Sequence, residues 1–118
     1  MFMEEIFGKS KKEKNMTYKT TGIISYIKLN DNSNDENLII KVKSELTYKI
    51  AGCVDDTRYN VFIDEETQSG VLIKENEEFY ITKKWLTFIS KIVDNGKKCI
   101  FTIADNKKDI VSMEYSNA

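Results

Sequence analysis

The chain has 118 residues and a net charge of −1 from 18 basic and 19 acidic side chains, so nothing global draws it to nucleic acid or to an anionic membrane. That length, with six Phe, six Tyr and one Trp, makes one domain able to bury a core without disulfide or metal support. Histidine is absent, which removes the usual member of catalytic triads, imidazole zinc sites and general-base schemes at neutral pH.

Proline is absent as well, so turns rest on Gly, Asn and Asp. Residues 55–78 hold eight carboxylates against Arg58 and Lys74, a net of −6, while residues 79–108 hold seven lysines against Asp94 and Asp105, a net of +5. Two readings of that asymmetry stand: solvated surface charge, or a basic surface offered to an acidic partner. The opening Met-Phe-Met-Glu-Glu-Ile-Phe-Gly is too short and too acidic for a secretory leader, and no apolar run approaches a membrane span. The expected setting is therefore a reducing cytoplasm with Cys53 and Cys99 as free thiols, and the richness in Lys, Asn and Ile suits a bacterial chain.

In chain order, residues 1–15 read as a flexible segment with room for a short helical turn, Phe2, Ile6 and Phe7 being its apolar positions. Residues 16–118 read as a single globular domain. Period-two patterning begins at Thr17, and residues 18–29 make a long strand in which Gly22 marks a bulge or bend. A polar loop over 30–37 places Asp31, Ser33 and Asp35 at alternate positions. A calcium loop would need glycine at its sixth position and a carboxylate at its twelfth, where Glu36 and Val42 stand, so no metal is assigned.

Strands follow at 38–43, 46–54 (weakly patterned), 59–63 and 71–74, with 79–81 leading into a helix at 83–94. At 100° per residue, Trp85, Leu86, Phe88, Ile89, Ile92 and Val93 share one arc of that helix, and Lys83, Lys84, Thr87, Ser90, Lys91 and Asp94 share the other. Thr82 is the expected N-cap and Asn95-Gly96 the left-handed stop. A closing hairpin pairs 99–104 with 109–115. The sum is an α+β domain dominated by antiparallel sheet, of about seven strands and one helix. The expected core is Ile24, Tyr26, Ile40, Val61, Ile63, Leu72, Trp85, Phe88, Ile89, Ile92, Phe101 and Val111.

A strand meander, a helix and a closing hairpin form the element order of the five-stranded OB barrel, with extra strands here between 59 and 81. At that level the chain resembles a partly open, OB-like barrel. A curled open sheet wrapped on the helix fits the same pattern.

The chemistry-bearing residues support no enzyme. Asp55, Asp56 and Arg58, then Asp64, Glu65 and Glu66, then Glu75, Glu77 and Glu78, all fall in predicted turns, where carboxylates serve as caps or hydrated charge. Cys53 lacks a base to activate it, and Cys99 opens a strand. No catalytic residue, cofactor or metal site is assigned. Tyr18-Lys19, Tyr48-Lys49, Arg58-Tyr59 and Lys84-Trp85 set aromatic beside basic residues, as single-strand nucleic-acid binders do, but one arginine and a net negative charge weigh against that class. The reading that remains first is a non-catalytic domain acting through protein–protein contacts or self-association, with single-stranded nucleic acid as the alternative. Its expected contact residues are Lys84, Lys91, Lys97 and Lys98.

Overall fold

The computed structural model describes residues 16–29, 37–52 and 57–116. The expected leading turn, the acidic loop with Asp31, Ser33 and Asp35, and the residues Cys53, Asp55 and Asp56 lie outside them.

Among the described residues eight strands form one antiparallel-dominated sheet: β1 (Thr17–Leu29), β2 (Asn37–Ser44), β3 (Thr47–Tyr48), β4 (Tyr59–Ile63), β5 (Gly70–Lys74), β6 (Phe79–Thr82), β7 (Cys99–Ala104) and β8 (Ile110–Tyr115). Of the strand expected at 46–54, only Thr47–Tyr48 is paired among the described residues. A 3-10 turn (Lys83–Trp85) and the helix α1 (Leu86–Asn95) stand between β6 and β7.

β1 is shared mainly between two of its three neighbours. Its first half pairs with β7, from Thr17↔Ala104 to Gly22↔Cys99, and its second half pairs with β2, from Gly22↔Ser44 to Leu29↔Leu38. Gly22 is the crossing point, bonded into both ladders. A Cβ there would lie 2.8 Å from Ser44 Cα and within clash distance of the Lys43 carbonyl oxygen. The glycine expected to mark a bulge or bend permits a close backbone approach where the strand passes from one neighbour to the other. The bulge lies three residues on, at Ser25, the extra residue between the pairs Ile24↔Val42 and Tyr26↔Lys41.

From β2 the pairing passes to β6, and β7 carries β8. One parallel bridge, Tyr80↔Asp109, and the bond from the Tyr80 N–H to the Lys108 carbonyl (2.8 Å) bring β6 to the start of β8. The sheet therefore curls through β1, β2, β6, β8 and β7 without closing. β3, β4 and β5 form an insertion outside that path, held where Lys19 of β1 pairs Ile63 of β4. Asn60 ties it down: its Oδ1 accepts the Ser44 N–H (3.0 Å) and its Nδ2 donates to the Val42 carbonyl (2.9 Å), all buried.

Inside the curl lie Leu38, Ile40, Val42, Phe62, Phe79, Ile81, Phe101, Ile103 and Met113, with Ile89 and Ile92 of α1. Ile24, Trp85 and Phe88 pack against this cluster, so the helix is docked with its tryptophan inward. Three expected core residues are exposed instead: Tyr26, Leu72 and Val111. Tyr26 is turned outward by the bulge before it. Val111 is itself the extra residue of a second bulge, between Thr102↔Ser112 and Ile103↔Ile110. In β4 the inward phase is Asn60 and Phe62, continued by buried Asp64 just past its end, leaving Val61 and Ile63 half-covered outside, and in β5 it is Ile73 rather than Leu72. A one-residue shift of phase moves a whole strand's side chains to the other face.

The helix also begins differently from expectation. Thr82 makes no side-chain cap, being the last paired residue of β6 opposite Asn37. Its extended backbone feeds the 3-10 turn, whose Lys83 carbonyl accepts the Leu86 N–H. The C-terminus follows the sequence: Gly96 is left-handed (φ 60°), and the Lys97 N–H returns to the Ile92 carbonyl at 3.0 Å.

Candidate functional site

Of the catalytic candidates, Arg58, Asp64, Glu65, Glu66, Glu75, Glu77, Glu78 and Cys99 lie among the described residues. Asp64 is buried within the β4–β5 turn. Its Oδ1 accepts the Glu66 N–H (2.9 Å), its carbonyl accepts the Gln68 N–H (2.7 Å), and its own N–H reaches the Ser69 carbonyl (2.8 Å). Glu65 pairs with Lys19 at 3.5 Å across open solvent, and Arg58, Glu77 and Glu78 are exposed. The Glu75 N–H binds the Arg58 carbonyl, and its buried Oε2 meets no hydrogen-bond donor among the described residues. Cys99 is fully buried, and desolvation pushes its thiol above the ordinary cysteine value, which keeps it protonated. Among the described residues no three His, Cys, Asp or Glu side chains converge as metal ligands. A cleft of about 460 Å³ opens over β1, β4 and β7, floored by Leu46, Val61, Ile63 and Ile100. Its carboxylates are Glu45 and Glu65, each in an ion pair.

The four expected contact lysines are all exposed, but they fall in two places. Lys84 and Lys91, seven residues apart, share the solvent side of the 3-10 turn and α1. Lys97 and Lys98 lie beyond Gly96. Lys98 is ion-paired with Glu45, and the Lys97 ammonium stands 5.9 Å from the Tyr115 ring centre. Lys97 also borders a small cavity of about 100 Å³ between α1 and β1, with Ile23, Ile24, Ile92, Val93 and Gly96.

That cavity is one end of a longer feature. Beyond Gly22, residues 23–29 of β1 pair with β2 alone among the described residues, since β7 begins only at Cys99, opposite Gly22. Among the described residues this arm has an unpaired backbone edge. The Ser25 bulge sets the facing of its side chains. Ile27 lies opposite Ile40 and Leu29 opposite Leu38, both fully buried, and directly opposed residues project to one side of a sheet. Ile27 and Leu29 therefore face the α1 side, yet they are 39% and 60% exposed, no described strand standing next to them. On α1, Val93, which borders the same small cavity as Ile24, is likewise open at 47%, and Leu86, about two helical turns earlier, is open at 42%.

The other face of the arm is different. Ile23, Tyr26 and Lys28 lie opposite Lys43, Lys41 and Ile39, and Ile39 lies opposite Tyr80 of β6. Ile39 is covered although it stands outside the core cluster. Lys28, Lys41 and Lys43 are the charged residues of this face, and the described part of β1 beyond Gly22 and all of β2 carry no carboxylate. The Lys41 ammonium sits 4.8 Å from the centre of the Tyr26 ring.

Sequence reasoning placed β1, but not the free edge. A single chain gives the strand and not its missing neighbour. The available signal was the mixed apolar content of residues 23–29, which alternate in no fixed phase because a bulge interrupts them. No family model matches the chain, and neither the curated proteins nor the solved structures yielded a similar one.

Proposed function

We propose that this chain is a small non-catalytic interaction domain that binds a protein partner. The observation that carries the reading is the arm of β1: a seven-residue strand edge without a neighbour among the described residues, flanked by half-exposed Ile27, Leu29 and Val93. Unpaired N–H and C=O groups beside apolar surface are the ingredients of strand addition, in which main-chain bonds give affinity and side-chain pockets give specificity. Lys97 is the member of the expected lysine set that borders this groove, while Lys84 and Lys91 add a basic strip on the outer side of α1. A cytoplasmic, bacterial setting belongs to the same proposal, and no helix among the described residues is long and apolar enough to cross a membrane.

A second reading has its own support. Tyr26, Lys28, Lys41, Lys43 and Tyr80 on the outer face of β1, β2 and β6 combine stacking rings with phosphate-binding cations, as in OB-like single-strand binders. It ranks second because Lys41 already occupies the Tyr26 ring and the chain's net charge is negative.

Affinity capture with the full chain separates the two. A protein retained by the wild type, resistant to nuclease, and lost with Leu29→Glu while Lys84→Glu/Lys91→Glu weakens it less, is the expected result. Retention of nucleic acid, or a gel shift with short oligonucleotides that falls steeply with salt, would contradict it in favour of the second reading.

A further inference from the structure

We propose that the groove between the arm of β1 and α1 receives an extended peptide of the partner as an added strand, and that this peptide alternates apolar with acidic side chains. The inference rests on the protein-binding reading above and names the partner's chemistry.

The backbone of residues 23–29 supplies the first requirement. Its outer edge is unpaired among the described residues and begins where the pairing with β7 stops, at the Gly22↔Cys99 pair. An added strand would thus continue the line of β7 along the same edge of β1, with its near end beside Gly96 and Lys97.

Side-chain alternation supplies the second. In any strand laid on this edge, successive side chains point to opposite faces. Those on the α1 side meet Ile27 and Leu29 of the arm, with Val93 of α1 and the 100 Å³ cavity at Ile24, Ile92 and Val93 at the near end. Only apolar groups gain there. Those on the opposite side join a face whose charged residues are Lys28, Lys41 and Lys43, with no carboxylate on the arm or on β2. Acidic groups complement that face, and Lys97 adds a cation at the closed end.

The same charge pattern argues against a second copy of this chain as the occupant. Its own arm carries Lys28 and no acid, so pairing two arms would add lysine to a face already made of lysines.

The test uses the full chain and two synthetic eight-residue peptides, one alternating glutamate with valine and one alternating lysine with valine, titrated by calorimetry at low salt. The glutamate peptide is expected to bind one per chain, and the lysine peptide at least about tenfold more weakly. Lys28→Glu and Leu29→Glu should each weaken the glutamate peptide by about tenfold while the melting temperature stays put, since both residues are exposed. Equal binding of the two peptides, no binding, or binding indifferent to Leu29→Glu would overturn the proposal. A dimeric solution mass abolished by Leu29→Glu would assign the groove to a second copy and overturn it too. If the capture experiment retains a protein while the peptide does not bind, this inference falls and the protein-binding reading stands. If neither occurs, both fall.

Discussion

Asn60→Ala is expected to lower the stability of the fold by about 3 kcal/mol, read as a drop in denaturant midpoint at unchanged slope. The amide is fully buried and spends both ends on β2, accepting from the Ser44 N–H and donating to the Val42 carbonyl. Its removal strands two buried backbone groups at once, and each such orphan costs about 1–3 kcal/mol. Ser44 is already engaged in the buried Thr20–Ser44 hydroxyl bond at 3.0 Å, so the loss falls where β1, β2 and β4 meet. Asn60→Asp keeps the acceptor but loses the donor and buries a charge, and it should be at least as damaging. A midpoint within experimental error of wild type would mean that the insertion of β3, β4 and β5 is not fastened to β2 as described.

Phe79→Ala is expected to cost about 4 kcal/mol, the range for emptying a closed aromatic site. Phe79 has no exposed surface and leans on Phe62, with ring centres 5.7 Å apart at 52°. It opens β6, one of the strands of the curl, whereas Phe62 belongs to β4 of the insertion. This contact is thus where insertion and curl share a core. Phe62→Ala should cost nearly as much, and the double substitution should cost less than the sum of the two, because the second cavity opens beside one already formed. Strict additivity would place the two rings in separate clusters.

The legible part of this fold was what local chemistry decides. Helix identity came from an apolar arc, the stop at Gly96 from a glycine whose φ is 60°, and the strand at 59–63 from β-branched and aromatic residues between turn signals. Strand facing was harder. Residues 59–63 contain Val61 and Ile63 in one phase and Asn60 and Phe62 in the other. The polar amide goes inside because partners on β2 satisfy it, a fact held in no local window. The bulges at Ser25 and Val111 reset the phase of β1 and β8, and they turned Tyr26 and Val111 outward against expectation. Thr82 looked like a cap and is a strand end, because pairing with Asn37 decides its conformation. The surface was legible only as charge. Lysines at 84, 91, 97 and 98 read as one basic surface in sequence, but Lys98 is bound to Glu45 and Lys97 stands at the arm's groove. An open strand edge is a property of the whole sheet.

Amide hydrogen exchange along residues 23–29 tests most directly the claim that function resides in a half-paired strand. In an antiparallel ladder successive amides point to opposite edges, so the free chain should show alternating protection: slow amides toward β2, fast ones toward solvent, with the alternation reset at Ser25. Adding the glutamate–valine peptide should slow the fast set and leave the slow set as it was. Uniform protection of both sets in the free chain would mean that the edge already has a neighbour, and would contradict the account at its base.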